Sequence, residues 1–495
     1  MTTTDLLALS PILAILALCV LTMLGIAVRR HHGTIAMLAA AGTLVTLGTL
    51  PLAASAAPRT VTTLLRIDGY ALLYMGLLLA ATLIIIALSY RYWNLHVEEH
   101  EECEEFYLLV LLATLGAIVL TASVHFVPFF LGLELISVSS YGLIGYLRTR
   151  RAPLEASLKY LLLSSTASAF LLFGMALLYF QTGTMVFSEI GAATIPSEPK
   201  PLLWLGGFTL VMVAIGFKLG LVPFHLWIPD VYQGAPAPIT AYIATVSKVA
   251  VAALLLRFVT DLRILEMHTV SLLFGTLAAA SMLAGNFLAL LQQNVKRLLA
   301  YSSIAHFGYL LVALLAGGPF AAEAVTFYLA AYVTMTLGAF GVVTARSTPL
   351  RDADAFEDYR GLFWSRPWLS VTFMLTLLSL AGIPITAGFL GKFYAIAAGV
   401  HADLWLLVLL LIANSALGVY YYLRLIVTMF DRSAADITIA DESAQHDAQG
   451  HWATALSLGA IASMLLWLGS YPGPVIEFIR SIVADLGATM LNARY

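Results

Sequence analysis

Residues 220–229 read G-L-V-P-F-H-L-W-I-P, and they interrupt an apolar run that extends from 202 to 235. A second apolar run, 367–400, contains the similar stretch A-G-I-P-I-T-A-G-F-L-G-K at 381–392. Because proline removes a backbone donor and clashes with the preceding turn, each stretch predicts a helix that is broken in its middle. Broken backbone is tolerated in a membrane only where it is buried in protein or lines a cavity. Simple proline kinks are the alternative, but two breaks in corresponding places favour functional breaks.

Both runs belong to a chain of 495 residues that is 61% hydrophobic and only 11% charged. Soluble domains contain roughly 25% charged residues, so the composition predicts an integral membrane protein. The apolar runs are long enough for helices, which predicts an all-α membrane fold rather than a β-barrel. About fourteen transmembrane helices are predicted, at 6–28, 34–54, 70–90, 107–123, 126–147, 154–180, 202–235, 237–260, 269–291, 297–316, 320–345, 367–400, 402–430 and 453–471.

The composition also excludes several kinds of site. The net charge of −3 provides no basic face for nucleic acid. The two cysteines, Cys19 and Cys103, lack the C-x-x-C spacing of iron–sulfur and zinc sites. The sequence also contains no C-x-x-C-H, Walker A or G-x-G-x-x-G motif. We therefore expect no redox site, metal or cofactor in this chain.

The loops between the predicted helices differ in their content of lysine and arginine. The odd-numbered loops carry thirteen of these residues, and the even-numbered loops together with the tail carry seven. Because cytoplasmic loops are enriched in lysine and arginine, this bias places the odd-numbered loops in the cytoplasm. Both termini are then predicted to face the periplasm.

An internal repeat is indicated by E-L-I-S-V-S-S-Y-G-L-I-G-Y (134–146) and R-L-L-A-Y-S-S-I-A-H-F-G-Y (297–309), which coincide at five of thirteen positions. Their offset of 163 residues nearly equals the 161 residues that separate Pro223 from Pro384. Each copy would hold five helices, an odd number, so the copies would be inverted, as in many ion transporters. The predicted parts are helices 1–3 (1–106), the first repeat of helices 4–8 (107–260), the second repeat of helices 9–13 (269–430), and a polar loop, helix 14 and a C-terminal tail (431–495).

Four of the six lysines lie inside apolar runs, namely Lys159, Lys218, Lys248 and Lys392, whereas most arginines lie in loops. Lys248 is eleven residues into its predicted helix, or about 16 Å along the helix axis. A charge at that depth costs at least about 2.5–3.5 kcal/mol. A buried lysine can be switched between protonated and neutral forms by moving a nearby carboxylate, whereas arginine stays protonated. Such lysines therefore suit a path that carries protons.

Other ionisable side chains accompany these lysines. Glu134 lies well inside helix 5, and Glu155 precedes Lys159 by four residues, on the same helix face. His225 lies in the first break and His306 in the middle of helix 10, and histidine titrates in a range that suits the passing of protons.

Some of these groups also have a purely structural interpretation. Lys159 would snorkel to the lipid headgroups, and Glu134 would be an ion-pair partner within the helix bundle. His306 would be a hydrogen-bonded packing residue. The polar run S-S-T-A-S (164–168) would serve close helix packing rather than a hydrated path. The three other buried lysines are harder to explain in this way.

Long stretches of the sequence resemble the antiporter-like subunit family of respiratory complex I, and within it the N-type branch. Lys392 stands where M-type members have a glutamate, and the chain ends soon after helix 14, where L-type members continue into a long lateral helix. The resemblance covers nearly the whole chain and is carried by E-E-F-Y-L-L-V-L-L-A-T-L-G-A-I-V-L-T-A-S (104–123), F-L-G-L-E-L-I-S-V-S-S-Y-G-L-I-G-Y (130–146), G-F-K-L-G-L-V-P-F-H-L-W-I-P-D-V-Y-Q-G-A-P (216–236), N-V-K-R-L-L-A-Y-S-S-I-A-H-F-G-Y (294–309), G-I-P-I-T-A-G-F-L-G-K-F-Y (382–394) and G-V-Y-Y-Y-L-R-L-I (418–426).

The resemblance implies a proton-translocating subunit of NADH-quinone oxidoreductase, a translocase, in a bacterial inner membrane. Glu134 would pair with Lys218 in a first half-channel, Lys248 would be the central relay residue, and Lys392 would lie on the exit side. The two histidines would bridge these groups, and the Glu–Lys pair of helix 6 would lie on the axis that joins neighbouring subunits. The implied relay comprises Glu134, Lys218, Lys248, Lys392, His225, His306, Glu155 and Lys159.

The resemblance also implies the surroundings of the chain. The parent complex would use NADH, FMN, iron–sulfur clusters and a quinone, expected to be ubiquinone. The partners would be the M-type and small membrane subunits of complex I, together with membrane lipids.

Other functions stay open at this point. A subunit of a multisubunit cation/proton antiporter or of a membrane-bound hydrogenase would share the fold and the lysines. A non-translocating membrane scaffold would share the fold but tolerate replacement of the lysines. An independent secondary transporter would transport as an isolated chain.

Overall fold

The computed structural model describes residues 2–96, 102–194, 202–265, 267–431 and 451–491. Two short antiparallel strands, β1 (Arg59–Val61) and β2 (Leu65–Ile67), form a hairpin between the second and third predicted spans. The helices of the first half are α1 (Thr3–Ala8), α2 (Ser10–Val28), α3 (His32–Gly48), α4 (Leu50–Ala56), α5 (Gly69–His96), α6 (Glu104–Ala122), α7 (Phe126–Ile144), α8 (Arg151–Thr182), α9 (Phe187–Thr194), α10 (Leu202–Leu219) and α11 (Trp227–Gly234).

The second half is helical in the same way, with a π-helical turn at Ile243–Ser247 and a 3₁₀ turn at Phe356–Tyr359. Its helices are α12 (Ala237–Tyr242), α13 (Lys248–Leu262), α14 (His268–Leu290), α15 (Val295–Leu315), α16 (Gly318–Arg346), α17 (Leu362–Ser365), α18 (Pro367–Ala381), α19 (Ala387–His401), α20 (Trp405–Phe430), α21 (His451–Ser470) and α22 (Gly473–Leu491).

Within the described residues, thirteen helical segments are long and apolar enough to cross a membrane. The remaining predicted span, 367–400, is divided between α18 and α19, and α18 is apolar but only 15 residues long. The predicted helical membrane fold with about fourteen spans is therefore confirmed. The inverted relation of the two repeats and the boundaries of the four predicted parts stay predictions, and most of the polar loop, 432–450, lies outside the described residues.

Both predicted helix breaks are present. α10 ends at Leu219 and α18 at Ala381, and each is followed by a glycine with positive φ, +74° at Gly220 and +85° at Gly382. This conformation is one that glycine adopts without a steric penalty. The backbone freed at the first break finds a side-chain partner, since Val222 N–H donates to a serine hydroxyl of α14 at 3.0 Å.

Paired glycines bring the helices that surround the first break into backbone contact. A Cβ atom on Gly116 of α6 would lie 2.7 Å from the carbonyl oxygen of Gly132 in α7. The same distance separates a Cβ atom on Gly174 of α8 from the carbonyl oxygen of Gly207 in α10. Small residues allow such close approach of membrane helices. The result is that α7 is held close to α6, and α8 is held close to α10. The first group of candidate residues lies on α7, α8 and α10.

The C-terminal end differs from the prediction of a tail. The segment Gly473–Leu491 forms helix α22, in which Ile479 and Val483 are buried while Glu477 and Arg480 are exposed. The sequence search missed this helix because an amphipathic helix has no continuous apolar run. α22 packs on the start of α5, where a Cβ atom on Gly69 would lie 3.4 Å from the side chain of Ile482.

Candidate functional site

The first buried lysine, Lys218, is bound by hydroxyl groups. It lies at the end of α10, and its Nζ donates to Ser137 Oγ of α7 at 2.5 Å and to Ser164 Oγ of α8 at 2.7 Å. The same ammonium lies 5.4 Å from the ring centre of Tyr160. The break after Leu219 therefore ends the helix at the point where the lysine reaches its two neighbours.

The predicted pairing of Glu134 with Lys218 is indirect. The Glu134 carboxylate is partly exposed and accepts a hydrogen bond from Ser168 Oγ of α8. Within the described residues the two charged groups form no direct ion pair, although they are close enough to interact electrostatically. Serines from the run 164–168 hydrogen bond to both, so this run contributes polar contacts in addition to helix packing.

Lys248 lies at the centre of the buried group and is fully enclosed. It is the first residue of α13 and follows the π-helical turn directly. Such turns are frequent at functional sites. Lys248 Nζ donates to Ser303 Oγ at 2.8 Å, and that oxygen is 2.7 Å from Tyr332 OH. The ammonium also lies against the first break, 3.5 Å from where a Cβ atom on Gly220 would be.

His306 continues the series from Lys248. Its Nδ1 shares a hydrogen bond with Tyr328 OH at 2.7 Å, and its ring centre lies 5.9 Å from that of Tyr332 and 5.6 Å from that of Tyr309. The predicted mid-helix histidine is thus buried among tyrosines rather than packed against aliphatic side chains alone.

Lys392 lies at the second break. Its Nζ donates to the carbonyl oxygen of Ala381, the last residue of α18, at 2.8 Å, and to Ser415 Oγ of α20 at 2.9 Å. The ammonium lies 5.4 Å from the ring centre of Tyr309, which also contacts His306. Serine and tyrosine side chains therefore link Lys248 to Lys392 through His306.

The sequence identified the ionisable members of this series but missed the hydroxyl groups between them. Ser303 of α15 accepts a hydrogen bond from Lys248, and Tyr332 of α16 shares a hydrogen bond with Ser303. The sequence contains 22 tyrosines, so residue type alone does not mark those that line the site. The match between Ser-Ser-Tyr and Ser-Ser-Ile in the two copies of the repeat was a signal for Ser303.

His225 lies in the first break and is buried. Its Nδ1 has no hydrogen-bond partner among the described residues. The structure thus places this histidine beside the site, between Lys218 and α11, without joining it to another relay residue by a hydrogen bond.

Glu155 and Lys159 form an ion pair at the surface end of α8, with 2.7 Å between Oε1 and Nζ. Lys159 Nζ also contacts Asp230 of α11 at 2.9 Å, and Asp230 contacts Arg297 of α15 at 2.8 Å. The side chain of Lys159 is 43% exposed, so this cluster lies apart from the buried series. Asp230 of α11 was not among the predicted residues, because its partners come from α8 and α15, which are distant in the chain.

Two other buried cations are held by carboxylates. Arg257 of α13 donates to both oxygens of Asp68, at 2.8 and 2.7 Å. Lys296 donates to Asp352 at 2.7 Å and to the carbonyl oxygen of Ala235 at 2.6 Å. In the described part of the chain, Lys218, Lys248 and Lys392 contact no carboxylate in this way.

Comparison with known proteins identifies the family of the chain. A family model described as "NADH:quinone oxidoreductase/Mrp antiporter, TM" matches residues 123–418. NADH-quinone oxidoreductase subunit N of Ectopseudomonas mendocina is 47% identical over 487 residues, which cover 97% of each chain. The chain belongs to the subunit N family of NADH-quinone oxidoreductases.

Solved structures agree with membership of the subunit N family. A chain of respiratory complex I from Thermus thermophilus superposes with a TM-score of 0.78 at 33% identity, covering 94% of this chain and 98% of that one. A chain of the Mrp complex from Dietzia sp. has a TM-score of 0.83 at 21% identity, covering 98% of both chains. The second likeness concerns the fold alone. The predicted membership of the antiporter-like family is confirmed, and the chain is a multi-span membrane protein of a bacterial respiratory complex.

Proposed function

We propose that this chain is a proton-pumping module of NADH-quinone oxidoreductase, in which NADH oxidation and quinone reduction take place in other subunits. The observation that carries the proposal is the binding of Lys218, Lys248 and Lys392 by neutral oxygens in a buried setting. A series of such groups crosses the interior from the first helix break to the second.

Neutral partners allow a lysine to change its protonation state. When a buried lysine paired with a carboxylate loses its proton, an uncompensated anion stays behind in the protein, at a cost of several kcal/mol. When Lys248 loses its proton, the groups left behind are a neutral amine and hydroxyl groups, which donate as well as accept. The relay lysines are therefore able to be loaded and emptied, whereas Lys296 and Arg257 each donate to a carboxylate.

The proposed cycle begins at Glu134. A change in the electrostatic interaction between Glu134 and Lys218, transmitted through the serines of α8, alters how readily Lys218 gives up its proton. A proton then moves along Lys248 and His306, with the intervening hydroxyl groups, towards Lys392. Glu155, Lys159 and His225 are proposed to tune the ends of this path.

The finer features of the parent complex belong to the same proposal. Both termini of the chain face the periplasm, so protons leave on the side of the chain ends. The other subunits of the complex bind NADH, FMN, iron–sulfur clusters and ubiquinone. An M-type subunit lies beside this chain.

The test is Lys248→Ala in the assembled complex, with Lys200→Ala as the control for loss of one lysine in a polar segment. Proton transfer by a positioned group typically contributes about 10²–10⁴-fold. We therefore expect proton pumping, measured with NADH in proteoliposomes, to fall at least about tenfold in the Lys248 variant and to be unchanged in the control. Normal pumping at normal assembly in the Lys248 variant would contradict the proposal and favour a membrane scaffold.

Lys296→Ala provides the contrast for assembly. This change removes the ammonium group that lies 2.7 Å from the Asp352 carboxylate, so we expect the amount of assembled complex on native gels to decrease. Equal assembly defects in the Lys248 and Lys296 variants would contradict the distinction between a lysine bound by a hydroxyl group and a lysine bound by a carboxylate.

A further inference from the structure

A fully buried asparagine, Asn286 of α14, joins three helices beside the last part of the relay. Its Nδ2 donates to the carbonyl oxygen of Met282 at 2.8 Å and to Tyr309 OH of α15 at 2.9 Å. Its Oδ1 accepts a hydrogen bond from Tyr421 OH of α20 at 3.1 Å. Both polar atoms of the amide therefore have partners, and they come from α14, α15 and α20.

The carbonyl group of Met282 determines which way round the amide lies. A backbone carbonyl oxygen only accepts hydrogen bonds, so the nitrogen of the amide, and not its oxygen, must face it. The same nitrogen faces Tyr309, so the hydroxyl of this tyrosine is the acceptor in that contact. The hydrogen of the Tyr309 hydroxyl is consequently not donated to Asn286.

Tyr309 contacts two members of the relay. Its ring centre lies 5.6 Å from that of His306, and the Lys392 ammonium lies 5.4 Å from it. A cation within about 6 Å of an aromatic ring is attracted by the face of the ring. The position of this one ring therefore affects both the last histidine and the last lysine of the relay.

The helices that carry the amide and this tyrosine are in backbone contact. A Cβ atom on Gly285 would lie 2.6 Å from the backbone nitrogen of Ala305, and one on Gly308 would lie 2.9 Å from that of Met282. These two glycines directly precede the asparagine and the tyrosine in the sequence. The separation of the amide from the hydroxyl is thus set by two closely packed backbones, as a precise site requires.

We propose that Asn286 is a positioning residue, which fixes the ring of Tyr309 between the last histidine and the last lysine of the relay; this inference rests on the proposed function. The amide carries no proton itself. It keeps the tyrosine hydroxyl in the acceptor role and thereby keeps the ring against the Lys392 ammonium. Without the amide, the ring is no longer held in place, and protons pass between His306 and Lys392 more slowly.

The experiment uses Asn286→Thr in the assembled complex. Threonine has nearly the volume of asparagine, and its hydroxyl is expected to bond to the carbonyl oxygen four residues earlier, as that of Thr82 bonds to Leu78 at 2.8 Å. The shorter side chain does not reach Tyr309. Since misplacement of a reacting group by 1 Å can cost about 100-fold, we expect NADH-driven proton pumping to fall roughly three- to tenfold. Unchanged pumping at normal assembly would overturn the inference.

Asn414 of α20 provides a matched control. It is also buried, and its Nδ2 also donates to the carbonyl oxygen four residues earlier, that of Leu410, at 2.8 Å. Among the described residues its Oδ1 has no hydrogen-bond partner. We expect Asn414→Thr to leave pumping unchanged, and equal losses in the two threonine variants would overturn the inference.

A double variant tests whether Asn286 acts through Tyr309. Tyr309→Phe keeps the ring but removes the hydroxyl that the amide holds, so we expect a loss similar to that in Asn286→Thr. In the Tyr309→Phe background, Asn286→Thr is then expected to add less than about a twofold loss, because both changes break the same contact. A merely structural role of the amide predicts that the two losses multiply, which would overturn the inference.

Infrared spectra of complex with isotope-labelled tyrosine give a readout that packing alone does not move. The C–O stretching band of a tyrosine changes frequency when its hydroxyl gains or loses a hydrogen bond. The band that is absent in Tyr309→Phe should shift in Asn286→Thr and stay in place in Asn414→Thr. An unshifted band in Asn286→Thr would overturn the inference.

Two tyrosine variants decide the matter if Asn286→Thr fails to assemble. Tyr309→Phe and Tyr421→Phe each remove one hydroxyl that is bonded to the amide, but only Tyr309 also contacts the relay. We expect at least a threefold loss of pumping in Tyr309→Phe and less than a twofold loss in Tyr421→Phe. Equal losses would overturn the inference.

Lys248→Ala, assayed in the same preparations, separates the two proposals. Impaired pumping in Lys248→Ala with normal pumping in Asn286→Thr would overturn this inference alone. Normal pumping in both variants would overturn the proposed function as well.

Discussion

At the scale of single residues, the buried cations in the described part of the chain include two groups with different partners. Arg257 and Lys296 have carboxylates in contact. Lys218 and Lys248 have hydroxyl groups instead. The sequence alone separates neither kind, because the partner that decides between them comes from a distant part of the chain.

The first prediction concerns the fixed pair of Arg257 and Asp68. Asp68→Asn removes the carboxylate to which the fully buried guanidinium donates two hydrogen bonds, so we expect about 3–5 kcal/mol of lost stability. The measurement is thermal unfolding of the purified complex. The control is Asp5→Asn, which breaks an exposed pair with Arg59 and is expected to change stability little.

The same pair predicts a dependence on pH. Burial raises the pKa of the Asp68 carboxyl, but the nearby Arg257 guanidinium lowers it by more, so the pKa lies below its usual range. A group with a lowered folded-state pKa stabilises above its unfolded pKa of about 3.9, and the stabilisation is lost as pH falls through the folded value. Wild-type stability should therefore decrease in acid more steeply than that of Asp68→Asn. Parallel pH curves would contradict this.

At the scale of elements, the breaks were predictable and the π-helical turn was not. Glycine and proline act through the backbone next to them, so their positions at 220–223 and 382–384 predict where the helices end. The turn Ile243–Ser247, by contrast, has no distinctive residue type. Helix α22 escaped prediction because its apolar residues are spaced for burial against α5 and α16 rather than for contact with lipid.

The second prediction tests the first break. Gly220→Ala places a Cβ atom 1.7 Å from Ile228 Cδ1 in a conformation with φ of +74°, next to Lys248. Gly183 has the same φ of +74°, but a Cβ atom there meets nothing within 4 Å. Both changes cost about 1 kcal/mol or more of backbone strain. We expect only Gly220→Ala to reduce NADH:quinone activity of the assembled complex severely, and equal effects at both sites would contradict the role of the break.

At the scale of the whole molecule, the number of spans and the family followed from the sequence, because hydropathy and long motifs are properties of continuous stretches. The contacts between side chains of different helices did not follow from the sequence, because they depend on how helices far apart in the chain pack. The pairing of Glu134 with Lys218 shows the difference. The resemblance implies that the two residues pair, but the serines that bind each of them become visible only in the packed bundle.

The third prediction concerns orientation. In a cysteine-free background, Thr4→Cys at the N-terminal end should react with a membrane-impermeant thiol reagent added to spheroplasts. Arg29→Cys, in the first loop, should react only in inverted vesicles. Both positions are exposed, so access from one side decides the result. The reverse labelling pattern would place both termini in the cytoplasm.

The hydroxyl groups between Lys248 and Lys392 have a consequence of their own. A serine or tyrosine that receives a proton on one side and passes its own to the other is left with its O–H bond pointing forward. Before the next proton arrives, the bond must rotate back. In the proposed relay, each passing proton would therefore reverse the hydrogen bond between Ser303 and Tyr332, and the next proton would wait until both O–H bonds had turned back.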